Sequence, residues 1–203
     1  MRPGPSGAVL ALALAVLLPA WTSAQRAHRT GLWGEIGFGP AYARMACSGC
    51  SEVATAPGAS STLRIGGKIS ERILLGVESF GFIHEETFGS SLGDTSTVAE
   101  AAMLAAVVLW FPWRSGVFLK GGLGVTHGEF TVVTAPSQAD TSRGTGIGMT
   151  YGLGFDQPIS RKLALTANAA AFIEAIGDLE LPGRRVDDVI ATMYHVTIGL
   201  TFR

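Results

Sequence analysis

Eight stretches of the chain alternate apolar residues with small or polar ones at a period of two, a pattern typical of β-strands with one apolar face. The last stretch, "YHVTIGLTF" at 194–202, has aromatic or aliphatic residues at every even position. The sixth, "GTGIGMTYGLGF" at 144–155, sets glycine against Ile, Met, Tyr, Leu and Phe. A phosphate-binding loop needs a helix after its glycines, and none follows here, so we interpret this stretch as a strand.

The fourth stretch, at 99–111, is the least regular, because alanines occupy much of both parities. One parity consists of Met103, Ala105, Val107, Leu109 and Phe111. The other parity carries Glu100. The alanine-rich run is also compatible with a short helix. Because its neighbours on both sides are strands, we predict a strand here, with Glu100 on its polar side.

The composition indicates which side of these strands points outward. Only 15% of the residues are charged, whereas a water-soluble domain usually has about 25%. The apolar parity of the eight stretches carries no charged residue, and Lys or Arg facing lipid at mid-membrane costs about 2–4 kcal/mol. A soluble ligand-binding barrel would turn this side inward. The pattern instead predicts a membrane barrel with its apolar side facing lipid.

The connections between the stretches alternate in length. Three are short, at 70–72, 112–115 and 157–162, and four are longer and polar, at 44–60, 85–97, 127–143 and 177–188. This alternation is typical of barrels with short periplasmic turns and longer extracellular loops. We therefore predict an all-β fold, an eight-stranded antiparallel up-and-down transmembrane β-barrel, with both termini on the periplasmic side.

The first 24 residues are predicted to be a cleaved secretory signal peptide. Arg2 precedes an apolar run at 8–20, and Thr22 and Ala24 are the small residues before a cut at Gln25. The apolar run is too short to span a bilayer as a helix, and no run of about 20 apolar residues follows it. The lack of a further apolar run argues against a helical membrane protein. The predicted barrel domain then covers residues 25–203.

With this pattern the chain resembles the small eight-stranded outer-membrane barrels of the OmpA/OmpX-like and OmpW-like group. In that family the alternating apolar residues of the last strand are the signal read by the barrel-assembly machinery. The matching residues here are Tyr194, Val196, Ile198, Leu200 and Phe202. Arg203 departs from the family pattern, which usually ends on the aromatic residue. The resemblance implies a place in the outer membrane of a Gram-negative bacterium, in contact with outer-membrane lipid and lipopolysaccharide.

Ten polar or charged residues are predicted to face the lumen as a polar network. They are Glu35, Arg64, Lys68, Glu78, Glu100, Lys120, Asp156, Asn168, Glu174 and His195. Opposite charges in a narrow interior are expected to pair, because an isolated buried charge is very costly. We predict a plug, since eight strands enclose a space about wide enough for side chains alone. A gated proton or ion path is the alternative. Glu78 is expected to pair with Lys68 or Lys120.

The two cysteines, Cys47 and Cys50, form the motif "CSGC" in the first long connection. A thioredoxin-like redox site needs a helix and a βαβ setting, and a metal site needs further Cys or His ligands nearby. The sequence shows neither, so no metal is expected. In an oxidising compartment the motif predicts a local loop disulfide.

The remaining chemistry favours a protein that is not an enzyme and needs no cofactor. His127 with Glu129, and His84 with Glu85 and Glu86, are candidate acid–base groups, but no serine nucleophile follows them at the spacing of the lipid A deacylases. A formal net charge of −1 gives no basic surplus for nucleic acid. We expect a role in envelope integrity or in surface interaction through the outer loops, with an unidentified surface ligand. The alternatives are a narrow porin-like channel for small or hydrophobic solutes and a lipid A-modifying enzyme.

Overall fold

The structure is a computed structural model that describes residues 31–47, 54–90, 93–134, 138–181 and 184–203. The predicted signal peptide at 1–24 lies outside the described residues. Within them, no helix has the length and apolarity needed to cross a membrane. The eight elements are β1 (Leu32–Ala46), β2 (Ala54–Ser70), β3 (Ile73–Ser90), β4 (Gly93–Trp110), β5 (Val117–Thr134), β6 (Gln138–Pro158), β7 (Leu163–Leu181) and β8 (Arg184–Phe202).

Each strand pairs antiparallel with the next, and β8 pairs with β1, so the sheet closes into a barrel. This confirms the predicted fold class. One end of the barrel carries the short links at 71–72, 111–116 and 159–162 together with the start of β1 and the end of β8. We call it the turn end. The opposite end, where the strands continue into hairpins, is the hairpin end.

The apolar parity faces outward in seven of the eight strands, as the period-two pattern predicts. Large aliphatic side chains on this face are well exposed, for example Ile65 at 61%, Leu123 at 67% and Ile147 at 72%. The opposite parity is buried in the lumen and carries small, polar and aromatic residues. The residues of the predicted assembly signal in β8 all belong to the outward face.

The orientation predicted for the fourth stretch is wrong. In β4 the side chains of Met103, Val107 and Leu109 are buried in the lumen, while Leu104 and Val108 point outward. The cause lies in the neighbouring strands, whose inward positions at this level are glycines. Val107 lies in register between Gly76 of β3 and Gly122 of β5. A Cβ atom on Gly122 would approach Val107 Cγ1 to 2.7 Å, so Val107 fills space that the two glycines leave.

Much of the sequence predicted as long polar loops is strand. The ladder between β3 and β4 is continuous from Ile73 opposite Trp110 to Ser90 opposite Gly93. The ladder between β5 and β6 likewise runs on to Thr134 opposite Gln138. Once a hairpin is long enough to leave the apolar band, continuing the ladder satisfies the backbone N–H and C=O groups. The Thr and Val residues at 95–98 and 131–134 also favour a continued strand.

Candidate functional site

A cluster of four charged side chains occupies the middle of the lumen. This charge quartet consists of Glu35, Arg64, Glu78 and Lys120, with side chains between 0% and 3% exposed. Arg64 Nη1 donates to Glu35 Oε2 at 2.9 Å, and Arg64 Nε donates to the Glu78 carboxylate. Lys120 Nζ donates to both Glu78 oxygens, at 2.8 and 2.9 Å. The two positive charges of the quartet are balanced by two negative charges. Charged side chains can stay buried away from water when they are paired in this way.

The strand register explains why these residues meet. Glu35 lies opposite Arg64 in the β1–β2 ladder, and Arg64 lies opposite Glu78 in the β2–β3 ladder. All three therefore share one row on the inward face. Lys120 comes from β5 and reaches over the intervening strand β4 to Glu78. Of the two partners expected for Glu78, Lys120 is in contact, whereas Lys68 pairs with Glu71 at the turn end, at 2.5 Å.

An aromatic layer lies next to the charge quartet. The rings of Phe80 and Phe172 stack with centroids 3.9 Å apart and an interplanar angle of 16°. His195 packs edge-on against both rings, and its Nδ1 atom is 3.4 Å from Ser60 Oγ. Lys120 Nζ lies 4.8 Å from the Phe172 centroid, in cation–π range. The aromatic layer thereby links the quartet to His195, and it fills the lumen on the hairpin-end side of the quartet.

A second polar cluster lies at the turn end. The carboxylate of Asp156 accepts hydrogen bonds from Thr166 Oγ1, at 2.8 Å, and from the guanidinium of Arg203. Thr166 and Thr201 hydroxyls are 2.6 Å apart. Arg203 directly follows Phe202, which is exposed, so the strand alternation turns Arg203 inward, where its side chain is 4% exposed. The residue that departs from the family pattern therefore carries the positive charge that neutralises Asp156.

Two further predicted network residues are buried in the lumen without partners in the described part of the chain. Asn168 is 2% exposed and Glu174 0%, and neither makes a side-chain hydrogen bond there. Glu100 does not belong to the network at all. It is exposed on the outward face of β4, because that strand has the opposite orientation to the one predicted. Glu100 lies near the hairpin end, where a carboxylate can point away from the lumen without entering the apolar band.

Cys47, the first residue of the cysteine motif, directly follows β1. Cys47 is disulfide-bonded. Cys50 lies outside the described residues.

Sequence reasoning missed the aromatic residues of the lumen. Phe80, Phe118 and Phe172 are among the largest fully buried side chains. Their parity was the available signal, since Phe80 shares a face with Glu78, and Phe118 shares one with Lys120. Facing glycines provide the room: a Cβ on Gly154 would lie 2.2 Å from the Phe118 ring. Inward positions of this barrel are therefore distinguished by side-chain size as well as by polarity, with large aromatic rings placed next to glycines.

This arrangement fills the middle of the lumen with ion pairs and aromatic rings. Arg64, Phe80 and Phe172 are fully buried at the middle of the barrel, so a solute would have to displace ion pairs and stacked rings to pass. Among the described residues, no group of three or more His, Cys, Asp or Glu side chains is arranged to hold a metal ion. The lumen thus has the character of a packed core.

No protein-family model matches the sequence, and no curated protein does. Solved structures do match. Ail, the attachment invasion locus protein of Yersinia pestis, crystallised with the heparin analogue sucrose octasulfate, aligns with a TM-score of 0.60 and 17% identity, covering 85% of this chain and all of Ail. A second crystal structure of Ail gives a TM-score of 0.55 and 18% identity, over the same shares of the two chains. The chain therefore has the fold of the small eight-stranded outer-membrane barrels.

Proposed function

We propose that the protein is a non-enzymatic outer-membrane barrel with a plugged lumen, and that it acts at the cell surface through the strands that project from its hairpin end. The observation that carries this proposal is the filled lumen. The charge quartet and the stacked rings of Phe80 and Phe172 leave the interior packed, so the surface of the barrel is what remains available to a partner.

The outward face supports a location in a membrane. A band of exposed Leu, Ile and Val side chains surrounds the barrel, and contiguous apolar surface of this extent on a monomer needs an apolar environment. A strand crosses the hydrocarbon layer in about 9–11 residues. Strands β3 to β6 contain 18, 18, 18 and 21 residues. The surplus lies at the hairpin end, which in the proposed orientation is outside the cell.

The surplus residues form a projecting sheet with two open edges. β3, β4, β5 and β6 stay paired with one another up to their tips. In contrast, the β2–β3 ladder stops at Ala59 opposite Ile83, and the β6–β7 ladder begins only at Ile147 opposite Ala175. The backbone groups of 84–90 that point away from β4, and those of 138–146 that point away from β5, therefore belong to no ladder that the structure describes. Such edges accept an extended segment of another protein as an added strand.

The charge of this region favours a protein partner over a sulfated glycan. The base of the projecting sheet carries four carboxylates, those of Glu85, Glu86, Glu100 and Glu129. In the described part of this sheet Arg143 is the one lysine or arginine, and it pairs with Glu129. Ail was crystallised with a polysulfated heparin analogue. A surface with this excess of carboxylates repels such a polyanion. We therefore expect this chain to differ from Ail in its ligand while sharing its fold.

The test is adhesion of bacteria that display the protein, with the projecting hairpin of β5 and β6 removed in a variant. Phe130 lies opposite Ser142 in register, so replacing residues 131–141 with Asn-Gly closes the hairpin as a two-residue turn. Wild-type cells should adhere to protein-coated surfaces, and adhesion should fall when the hairpin is trimmed, because the deletion shortens the open β6 edge and leaves only the β3 edge at full length. Retained heat resistance of the trimmed barrel in gels is the folding control. Equal adhesion of both, or preferential adhesion to heparin, would contradict the proposal.

A further inference from the structure

A cleft of about 470 Å³ opens on the outward face of the barrel between β1 and β5. Its floor consists of three small residues that are neighbours in one cross-strand row, Ser61, Gly81 and Ala102. The same row continues to Phe38 at one end and to His127 at the other. Larger outward side chains flank this row, Leu63 and Leu104 on one side and Ile83 and Glu100 on the other, so the row of small residues is a depression in the lipid-facing surface.

The end of the cleft that lies towards the hairpin end carries two carboxylates whose negative charge is only partly neutralised. Glu100 lies directly opposite Glu129 in the β4–β5 ladder, and both line the cleft with His127. Like charges directly opposite each other destabilise a sheet. Arg143 compensates Glu129, donating from Nε to Oε2 at 2.9 Å and from Nη2 to Oε1 at 3.3 Å. Within the described part of the chain Glu100 has no ion-pair partner, so the end of the cleft keeps one negative charge.

The position of the cleft along the barrel matches that of a lipid in one leaflet. Gly81 lies eight residues from the turn end of β3, and Glu100 ten residues from the turn end of β4. At a strand rise of about 3.4 Å and a tilt of about 40°, each residue adds about 2.6 Å along the barrel axis. Gly81 is then about 21 Å and Glu100 about 26 Å from the turn end, against an apolar band about 25 Å tall. The floor lies inside the band, and the carboxylates lie at its boundary.

We propose that this cleft binds an amphiphile with a primary ammonium head and a hydrocarbon chain, the head at Glu100 and Glu129 and the chain along Ser61, Gly81 and Ala102. The ammonium group supplies the positive charge that the opposed carboxylates lack. The chain runs down the small-residue floor towards Phe38, in the direction in which lipid chains enter the membrane. A lipid with an anionic head meets repulsion at the same place.

The experiment measures how strongly spin-labelled amphiphiles associate with the protein in phosphatidylcholine bilayers, from the motionally restricted fraction of the electron spin resonance spectrum. The probes are stearylamine, stearyl alcohol and stearyl sulfate with the same labelled chain. For the wild type we expect association to fall in the order amine, alcohol, sulfate, with the amine favoured over the alcohol about threefold, as one exposed ion pair allows.

Variants test the contact with the ammonium head and the contact with the hydrocarbon chain separately. Glu100→Gln should bring amine and alcohol to equal association, while Glu71→Gln, which removes the same charge at the turn end, should not. Gly81→Leu should weaken association of the amine about tenfold by filling the floor. Ala102→Leu fills the same floor from β4 and takes the place of Gly81→Leu if that variant folds poorly. Gly121→Leu adds the same side chain on the outward face where nothing lies within 4 Å, and should have no such effect.

The outcomes also separate this inference from the membrane location on which it rests. A protein that restricts no lipid at all is not inserted in the bilayer, and both proposals fall. A protein that restricts all three probes equally is a membrane barrel without this site. Equal effects of the Leu substitutions at Gly81 and Gly121 would likewise overturn the cleft as the binding site.

Discussion

Replacing Glu78 with alanine removes the carboxylate that holds the charge quartet together. Glu78 accepts a hydrogen bond from Arg64 and two from Lys120, at 2.8 and 2.9 Å. Without it, Lys120 is left buried with no carboxylate in contact, and Arg64 keeps only Glu35. Removing one partner of a buried ion pair costs about 3–5 kcal/mol, because the remaining charge stays desolvated. We expect Glu78→Ala to lower the free energy of unfolding by that amount.

Lys120→Ala removes the other side of the contact but leaves Glu78 bonded to Arg64, so its expected effect is smaller, about 2 kcal/mol. The double variant restores an equal number of positive and negative charges. Its destabilisation should therefore fall short of the sum of the two single effects by about 1 kcal/mol or more.

The assay is urea unfolding of the refolded protein in detergent micelles, followed by tryptophan fluorescence and by the gel shift between folded and unfolded bands. Lys68→Ala is the matched control, because Lys68 pairs with Glu71, whose side chain is 89% exposed. Such an exposed pair contributes at most about 1 kcal/mol. The reasoning is refuted if Glu78→Ala is as mild as Lys68→Ala, or if the effects of removing Glu78 and Lys120 simply add.

Three further substitutions test other parts of the packed lumen in the same unfolding assay. Phe172→Ala removes the ring stacked on Phe80 and should cost about 3–5 kcal/mol; a cost below 1 kcal/mol would mean that the aromatic layer is loosely packed. Asp156→Asn leaves the buried Arg203 without its counter-charge and should cost about 1–3 kcal/mol, whereas an unchanged midpoint would contradict the turn-end cluster. Gly124→Val places a Cβ 2.1 Å from a β4 carbonyl oxygen and should prevent refolding into the heat-resistant band, which a normally folded variant would disprove.

The period-two pattern was sufficient for the fold because one parity in most strands is unmistakably apolar. At 144–155 in β6 and 194–202 in β8, large apolar residues alternate with glycine, threonine or histidine, and the structure follows that alternation along both stretches. β4 fails for a physical reason. Between residues 101 and 109 both of its parities consist only of Ala, Val, Leu or Met, so hydropathy does not indicate which parity faces the lumen. Its orientation is decided by Gly76 and Gly122, which leave room inside for Val107, and that requires the register.

The candidate site was predictable only in part. Parity indicated that Glu35, Arg64, Glu78 and Lys120 share the lumen, but which charges meet depends on the register across the closed barrel. Glu100 was misplaced because every charge was assumed to face inward. That assumption applies within the apolar band, where an outward charge is costly, and it lapses at the boundary of the band.

The most direct test of a plugged barrel is single-channel conductance of the refolded protein in a planar bilayer, with the Glu78→Ala/Lys120→Ala variant beside it. With Arg64, Phe80 and Phe172 fully buried across the middle of the lumen, the wild type should insert without discrete current steps. Steady openings of the wild type at low voltage would show an open path through the barrel and would contradict the account.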